Sequence, residues 1–153
     1  MCGGIKFSFD IVDEEELERF LAPAEFDLYK KSGIVQTVYW SKRPFLPAVD
    51  ANGEVHVYDW GNREKGVSLP KTGWARFESL VKGAWNYLNP VHVVIPATEG
   101  CEKKVWFKVR SGIRGLLVEK DGQKRIYMVT EPANKEYLKM SGHDRMPKYV
   151  DSI

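Results

Sequence analysis

The stretch "GLLVEKDGQKRIYMVT" constrains this chain more than any other, because it joins two apolar, strand-like runs across an Asp-Gly step. Asp121 and Gly122 tolerate the left-handed backbone of a two-residue hairpin turn, so the flanking runs are expected to fold back as antiparallel strands. Further strand candidates recur along the chain at "GIKFSF", "GIVQTVYW", "GEVHVYDW", "VHVVIPA" and "KVWFKV". Helical patterning is sparser. "DEEELERFL" predicts a helix capped by Asp13, with Glu16 completing a capping box and Leu17, Phe20 and Leu21 facing inward. "GWARFESLVKGAWNYL" sets Trp74, Phe77, Leu80, Val81, Ala84, Trp85 and Leu88 on one face of a second helix, which Asn89 and Pro90 end. A last short helix is predicted at "ANKEYLKM", and the proline-broken "SKRPFLPAVDANG" reads as a surface crossing. Together these predict an α+β fold, with a mostly antiparallel, barrel-like β-sheet core and two or three flanking helices, in a single domain spanning 1–153.

A chain of 153 residues buries a sizeable core without staples. Its two cysteines are far apart, and with three histidines they give no zinc-ligand spacing. No metal and no organic cofactor are therefore expected, and both thiols are expected to be free in a reducing, cytoplasmic-type setting. "MCGGIKFSFD" has neither the basic region nor the apolar stretch of a signal peptide, so no membrane partner is expected, and a monomer is the default. A net charge of +2 makes no global field, so an anionic partner must be met by a local patch. Candidates for one are Lys42, Arg43, Arg76, Lys82, Lys103, Lys104, Arg110, Arg114 and Arg145. Trp40, Phe45 and Trp74 are candidates for stacking on unpaired bases, with core packing an equal reading for Trp74.

Chemistry concentrates at the two ends. Trimming Met1 would place an α-amine and a thiol on one Cα at Cys2, although Cys2 also reads as a small apolar strand residue. Gly3 and Gly4 have no side chains to hinder the approach of a nucleic-acid backbone. At the other end His143 sits in "SGHDRMP", a Gly- and Pro-bounded loop, and an imidazole titrates where acid–base work is done. His92 reads as a structural residue, His56 as an exposed one, and Glu102 taken alone as a solvated acid.

"MCGG", "WG" at Trp60–Gly61, "ARFES" at Ala75–Ser79, "VVIPATEGCEKKVWF" at Val93–Phe107, "TEPAN" at Thr130–Asn134 and "HDRMP" at His143–Pro147 stand in one order. That order resembles the SRAP (SOS response-associated peptidase) family, in a short variant. The resemblance implies covalent capture of abasic sites in single-stranded DNA as a thiazolidine, and a self-removing peptidase activity at the cysteine. It implies Cys2, Glu102 and His143 as the catalytic trio, and Arg76 as a phosphate contact with Glu78 beside it. It places the protein in the cytoplasm, on the nucleoid if it is bacterial or phage-encoded. Trp74 stands where the family has asparagine, and Gly4 where it has arginine. Two alternatives stay open: an amidase or self-processing peptidase using the N-terminal cysteine, and a non-catalytic module that binds single-stranded DNA.

Overall fold

A computed structural model describes residues 1–151. Its first half runs β1 (Gly4–Ser8), α1 (Glu14–Glu18), α2 (Pro23–Ser32), β2 (Ile34–Val38), β3 (Phe45–Val49) and β4 (Val55–Trp60). Next come β5 (Trp74–Arg76), α3 (Phe77–Val81), β6 (Val91–Ile95), β7 (Glu99–Glu102) and β8 (Val105–Lys108). The chain finishes with β9 (Ile113–Lys120), β10 (Gln123–Pro132), α4 (Lys135–Ser141) and β11 (Arg145–Pro147). The predicted Asp121–Gly122 turn joins β9 to β10, with φ of 52° and 78°.

Five strands close a barrel in the order β10, β4, β3, β6, β9 and back to β10. All of its contacts are antiparallel except β10 with β4. The far half of β10 extends beyond the ring, pairing in parallel with β5 and antiparallel with β11. A second, antiparallel sheet runs β2-β1-β7-β8. Between the two sheets lies the core, where Ile5, Phe7, Leu46, Ile95, Ile113, Ile126 and Met128 are fully buried and Trp60 nearly so. The α+β, barrel-like prediction therefore holds. Among the described residues no helix is long and apolar enough to cross a membrane.

Several local expectations give way. Among the described residues four α-helices form, and α2 is the one the sequence pattern did not predict. "SKRPFLPAVDANG" is no surface crossing, since it contains β3, where Phe45, Leu46, Pro47 and Ala48 are buried. The long helix over 73–88 does not form. Trp74–Arg76 pair with β10 instead, and α3 is one turn that gives way to a left-handed Gly83 at φ 80°. Asp13 caps α1 as predicted, but Glu16 reaches to β4, where its Oε1 accepts from the Val57 N–H and its Oε2 meets His56. His92, read as structural, is exposed on β6.

Gly61 ends the barrel strand after Trp60 in a left-handed conformation, φ 60°. A Cβ there would stand 2.2 Å from the Thr72 carbonyl oxygen and 2.6 Å from the Gly73 Cα, both backbone atoms. Gly61→Ala is therefore expected to destabilise the fold by about 3 kcal/mol or more, measured as a lowered midpoint in denaturant at unchanged m-value.

Candidate active site at the N-terminus

The first residues enter the second sheet as an extension of β1. The Gly3 N–H donates to the Cys101 carbonyl at 2.9 Å, and its own carbonyl accepts from the Tyr39 N–H at 2.9 Å. The Trp74 indole N–H donates to the Cys2 carbonyl at 2.9 Å. Those bonds clamp the chain from the Cys2 carbonyl onward. The clamp thus draws on β7 through Cys101, on the turn after β2 through Tyr39 and on the indole at the start of β5.

The α-amine, here that of Met1, lies between the two predicted acid–base residues. It is 2.9 Å from Glu102 Oε1 and 2.7 Å from His143 Nε2. Glu102 ends β7 and is 4% exposed, so it is not the solvated acid that its sequence context alone suggests. The Tyr137 hydroxyl, from α4, donates to the same Oε1 at 3.0 Å. Burial pushes that phenol's pKa up, and the charges of the buried thiol and of Glu102 add to the shift. The phenol therefore stays a donor. Nothing in the sequence marked Tyr137 beyond its place in a predicted helix; the pairing joins residues 35 apart.

His143 follows the left-handed cap of α4 at Gly142. Its Nδ1 accepts from the Arg145 N–H at 3.0 Å, and its own N–H donates to Ser141 Oγ at 3.2 Å. A neutral imidazole whose Nδ1 accepts carries its proton on Nε2, the nitrogen that faces the amine. The α-amine thus meets a carboxylate oxygen and an imidazole nitrogen at once.

The thiol faces the other way. Cys2 is fully buried, and its Sγ–H donates to the Gly4 carbonyl at 3.2 Å. Burial pushes its pKa up to about 12. Met1 and Gly3 line a cavity of about 540 Å³ together with Trp40, Trp74, Glu102 and His143, and Cys2 lies beneath its wall.

The remaining predicted contacts divide. Gly3 lines the cavity. Gly4 does not; it is buried in β1, where a Cβ would meet Val38 Cγ1 at 2.9 Å and Cys101 Cβ at 3.4 Å, so its smallness serves strand packing. Trp74 is 9% exposed and acts as the clamp on Cys2. Phe45 is core. Arg145 is buried, its guanidinium forked onto Glu78 at 2.6 and 3.0 Å and bonded to Thr130, so it braces the strand behind His143 and is closed to phosphate. Arg43 pairs with Asp59 at 2.9 Å and lines a different cavity. Arg76 is exposed at the end of β5, near Glu78.

Outside this site, Asp50, Glu54 and His56 bring ligand-type atoms within 4.8 Å of one another. His56 Nδ1 meets Glu16 at 3.2 Å and its Nε2 meets Glu54 at 3.3 Å, and these bonds, Glu16 first, raise the imidazole's pKa. His56 thus bridges Glu16 and Glu54 through its two ring nitrogens. No known protein-family model matches the chain, and no curated protein matches it significantly.

At pH 8 a thiol with a pKa of about 12 is thiolate in about one molecule in ten thousand. Alkylation of the native, Met1-bearing protein is therefore expected to label the half-exposed Cys101 well before Cys2, read by peptide mass spectrometry.

Proposed function

We propose that this protein captures abasic sites in single-stranded DNA covalently, through a thiazolidine formed by Cys2 once Met1 has been removed. The observation that carries this reading is the α-amine held at once by Glu102 and His143, residues that the sequence singled out from distant segments. A site for an aldehyde-directed amine needs an acceptor to take protons from nitrogen and a donor to give them to oxygen. Here both lie within hydrogen-bond reach of one nitrogen.

Removing Met1 by hydrolysis leaves the Cys2 amine as the terminal one, a single residue from the position now filled. The clamping bonds all lie on the carbonyl side of Cys2, so rotation about its Cα–C bond carries the new amine toward the position that Met1's amine now fills. The abasic sugar opens to its aldehyde as the C1′–O4′ bond breaks, the proton of the C1′ hydroxyl passing to O4′ by way of His143 Nε2. The Cys2 amine adds to the aldehyde carbon, and Glu102 accepts a proton from the nitrogen. Loss of water gives an iminium. Sulfur then adds to the same carbon, its proton passing to the site's base, and the five-membered ring closes. The net reaction releases one water, with no redox change. Sharing a Cα gives sulfur a high effective concentration for the second bond.

Swinging Cys2 toward the amine site also lifts its sulfur out of the wall that now holds it unreactive. Capture is thus tied to removal of Met1, and the Met1-bearing chain is expected to be inert.

The test mixes Met1-free protein with a single-stranded oligonucleotide bearing one abasic site. A band that survives a denaturing gel is expected, absent in Cys2→Ala and slowed by about 100-fold or more in Glu102→Gln and His143→Gln. Binding without a surviving band in the unmutated protein would leave a non-covalent module. Hydrolysis of amide substrates without any adduct would point instead to a peptidase.

A further inference from the structure

Two features stand on the rim of the cavity that holds the amine. The first is Trp40, in the turn after β2, whose indole is 76% exposed. It is not loose. The indole stands edge-on to Tyr39 at 5.3 Å and 84°, tilts against Trp74 at 6.3 Å, and has its Nε1 3.5 Å from where a Gly3 Cβ would be. The residue that clamps Cys2 thus also braces the indole, whose broad flat surface remains open to water beside the reacting terminus.

The second is the turn between β7 and β8. Glu102 pairs with Val105, leaving Lys103 and Lys104 as a two-residue loop with φ of 49° and 69°. Such turns are built with Asn and Gly, and two consecutive lysines in left-handed backbone are a costly choice. What they gain is place. Both lysines line the cavity that holds the amine, and Lys103 Nζ donates to the Gly142 carbonyl at 3.1 Å, next to His143. Strain retained beside reacting groups points to use rather than stability.

We propose that Trp40 and the Lys103–Lys104 turn form a subsite for the nucleotide adjoining the abasic position, its base stacked on the indole and its phosphate met by the two ammonium groups. This deepens the abasic-site reading and rests on it for the identity of the strand. An abasic site offers no base of its own to grip, so the neighbouring nucleotide is the nearest one able to supply stacking energy. Stacking is indifferent to which base is present, and the same holds for a phosphate contact, so the subsite sets position without reading sequence.

The test uses a single-stranded oligonucleotide carrying tetrahydrofuran, an abasic analogue with no aldehyde, so that equilibrium binding is read by fluorescence anisotropy without a covalent step. Trp40→Ala is expected to bind about ten-fold more weakly, with an unchanged melting temperature, and Trp40→Phe to keep most of the affinity. When both neighbours are also tetrahydrofuran, the unmutated protein is expected to lose the same factor and Trp40→Ala nothing further. Affinity unchanged in Trp40→Ala, or a loss that persists in full on base-less neighbours, would overturn stacking.

For the turn, the double variant Lys103→Asn with Lys104→Gly relieves the backbone while removing both charges. It is expected to melt higher yet bind more weakly, with the slope of log affinity against log salt reduced by about 1.4. An unchanged slope would overturn the phosphate role. A protein that passes these binding tests and forms no covalent band with a true abasic site would lose the proposed chemistry and keep the subsite.

Discussion

Strand β10 is the constraint from which the site follows, because it exchanges hydrogen bonds with four other strands along its length. Its near half closes the barrel with β9 and β4. The far half is too long for the ring and takes β5 on one edge and β11 on the other. That overhang sets Trp74, at the start of β5, on the carbonyl of Cys2, and sets His143, just before β11, on the terminal amine. A shorter β10 would still close the barrel but would leave neither residue a support. The ion pair of Arg145 with Glu78 then fastens β11 to the segment after β5, so the two arms brace each other.

Glu102 comes from the other sheet, and it faces a different difficulty. A carboxylate 4% exposed needs partners for its charge, since an unpaired buried ion is strongly unfavourable. Tyr137 and the terminal amine both bond its Oε1. The amine is therefore drawn to this position by the carboxylate's own need, and any chain terminus of the right length satisfies it. A Cys2 amine would be drawn in as Met1's is. The site thus selects for a group, an α-amine, before it selects for a residue, and on the proposed reading one pocket would serve the chain before and after removal of Met1.

The sequence made the β9–β10 hairpin legible because its turn signal is local: Asp121 and Gly122 alone carry it. Both ends of the chain announced Cys2 and His143 for a similar reason, each motif being short and contiguous. What failed was non-local. Prolines in "SKRPFLPAVD" argued against a strand, yet Pro47 is tolerated because β3 joins β6 only at Val49, leaving the edge beside Pro47 without a ladder partner to serve. The apolar spacing of 73–88 mimicked a helix although Trp74 and Ala75 are strand neighbours that pack into separate core clusters, and Leu88 joins Ala75's cluster from a separate turn beyond Gly83. In α2 the opposite holds: Pro23 opens it and a left-handed Gly33 closes it, but no residue of it is buried, so no apolar stripe was there to find. Arg145 looked like a phosphate ligand because its partner Glu78 is 67 residues away.

The burial of the thiol and the exposure of the amine look opposed for groups that the proposed reaction brings to one substrate, yet they follow from one strand geometry. In extended backbone successive side chains point to opposite faces, so a chain that offers residue 1 to the cavity turns residue 2 into the core. Cys2 obeys this and hides its sulfur against Gly4 and Gly100. Removing residue 1 ends that alternation, since a terminal residue has no preceding peptide to fix its direction. Only the Cys2 carbonyl remains clamped, by Trp74, and rotation about the bonds on its amine side is then opposed by nothing except the contacts the sulfur makes. On the proposed reading, the peptide bond that keeps the thiol buried is the one whose loss would create the amine, so that both groups would become reactive in a single step.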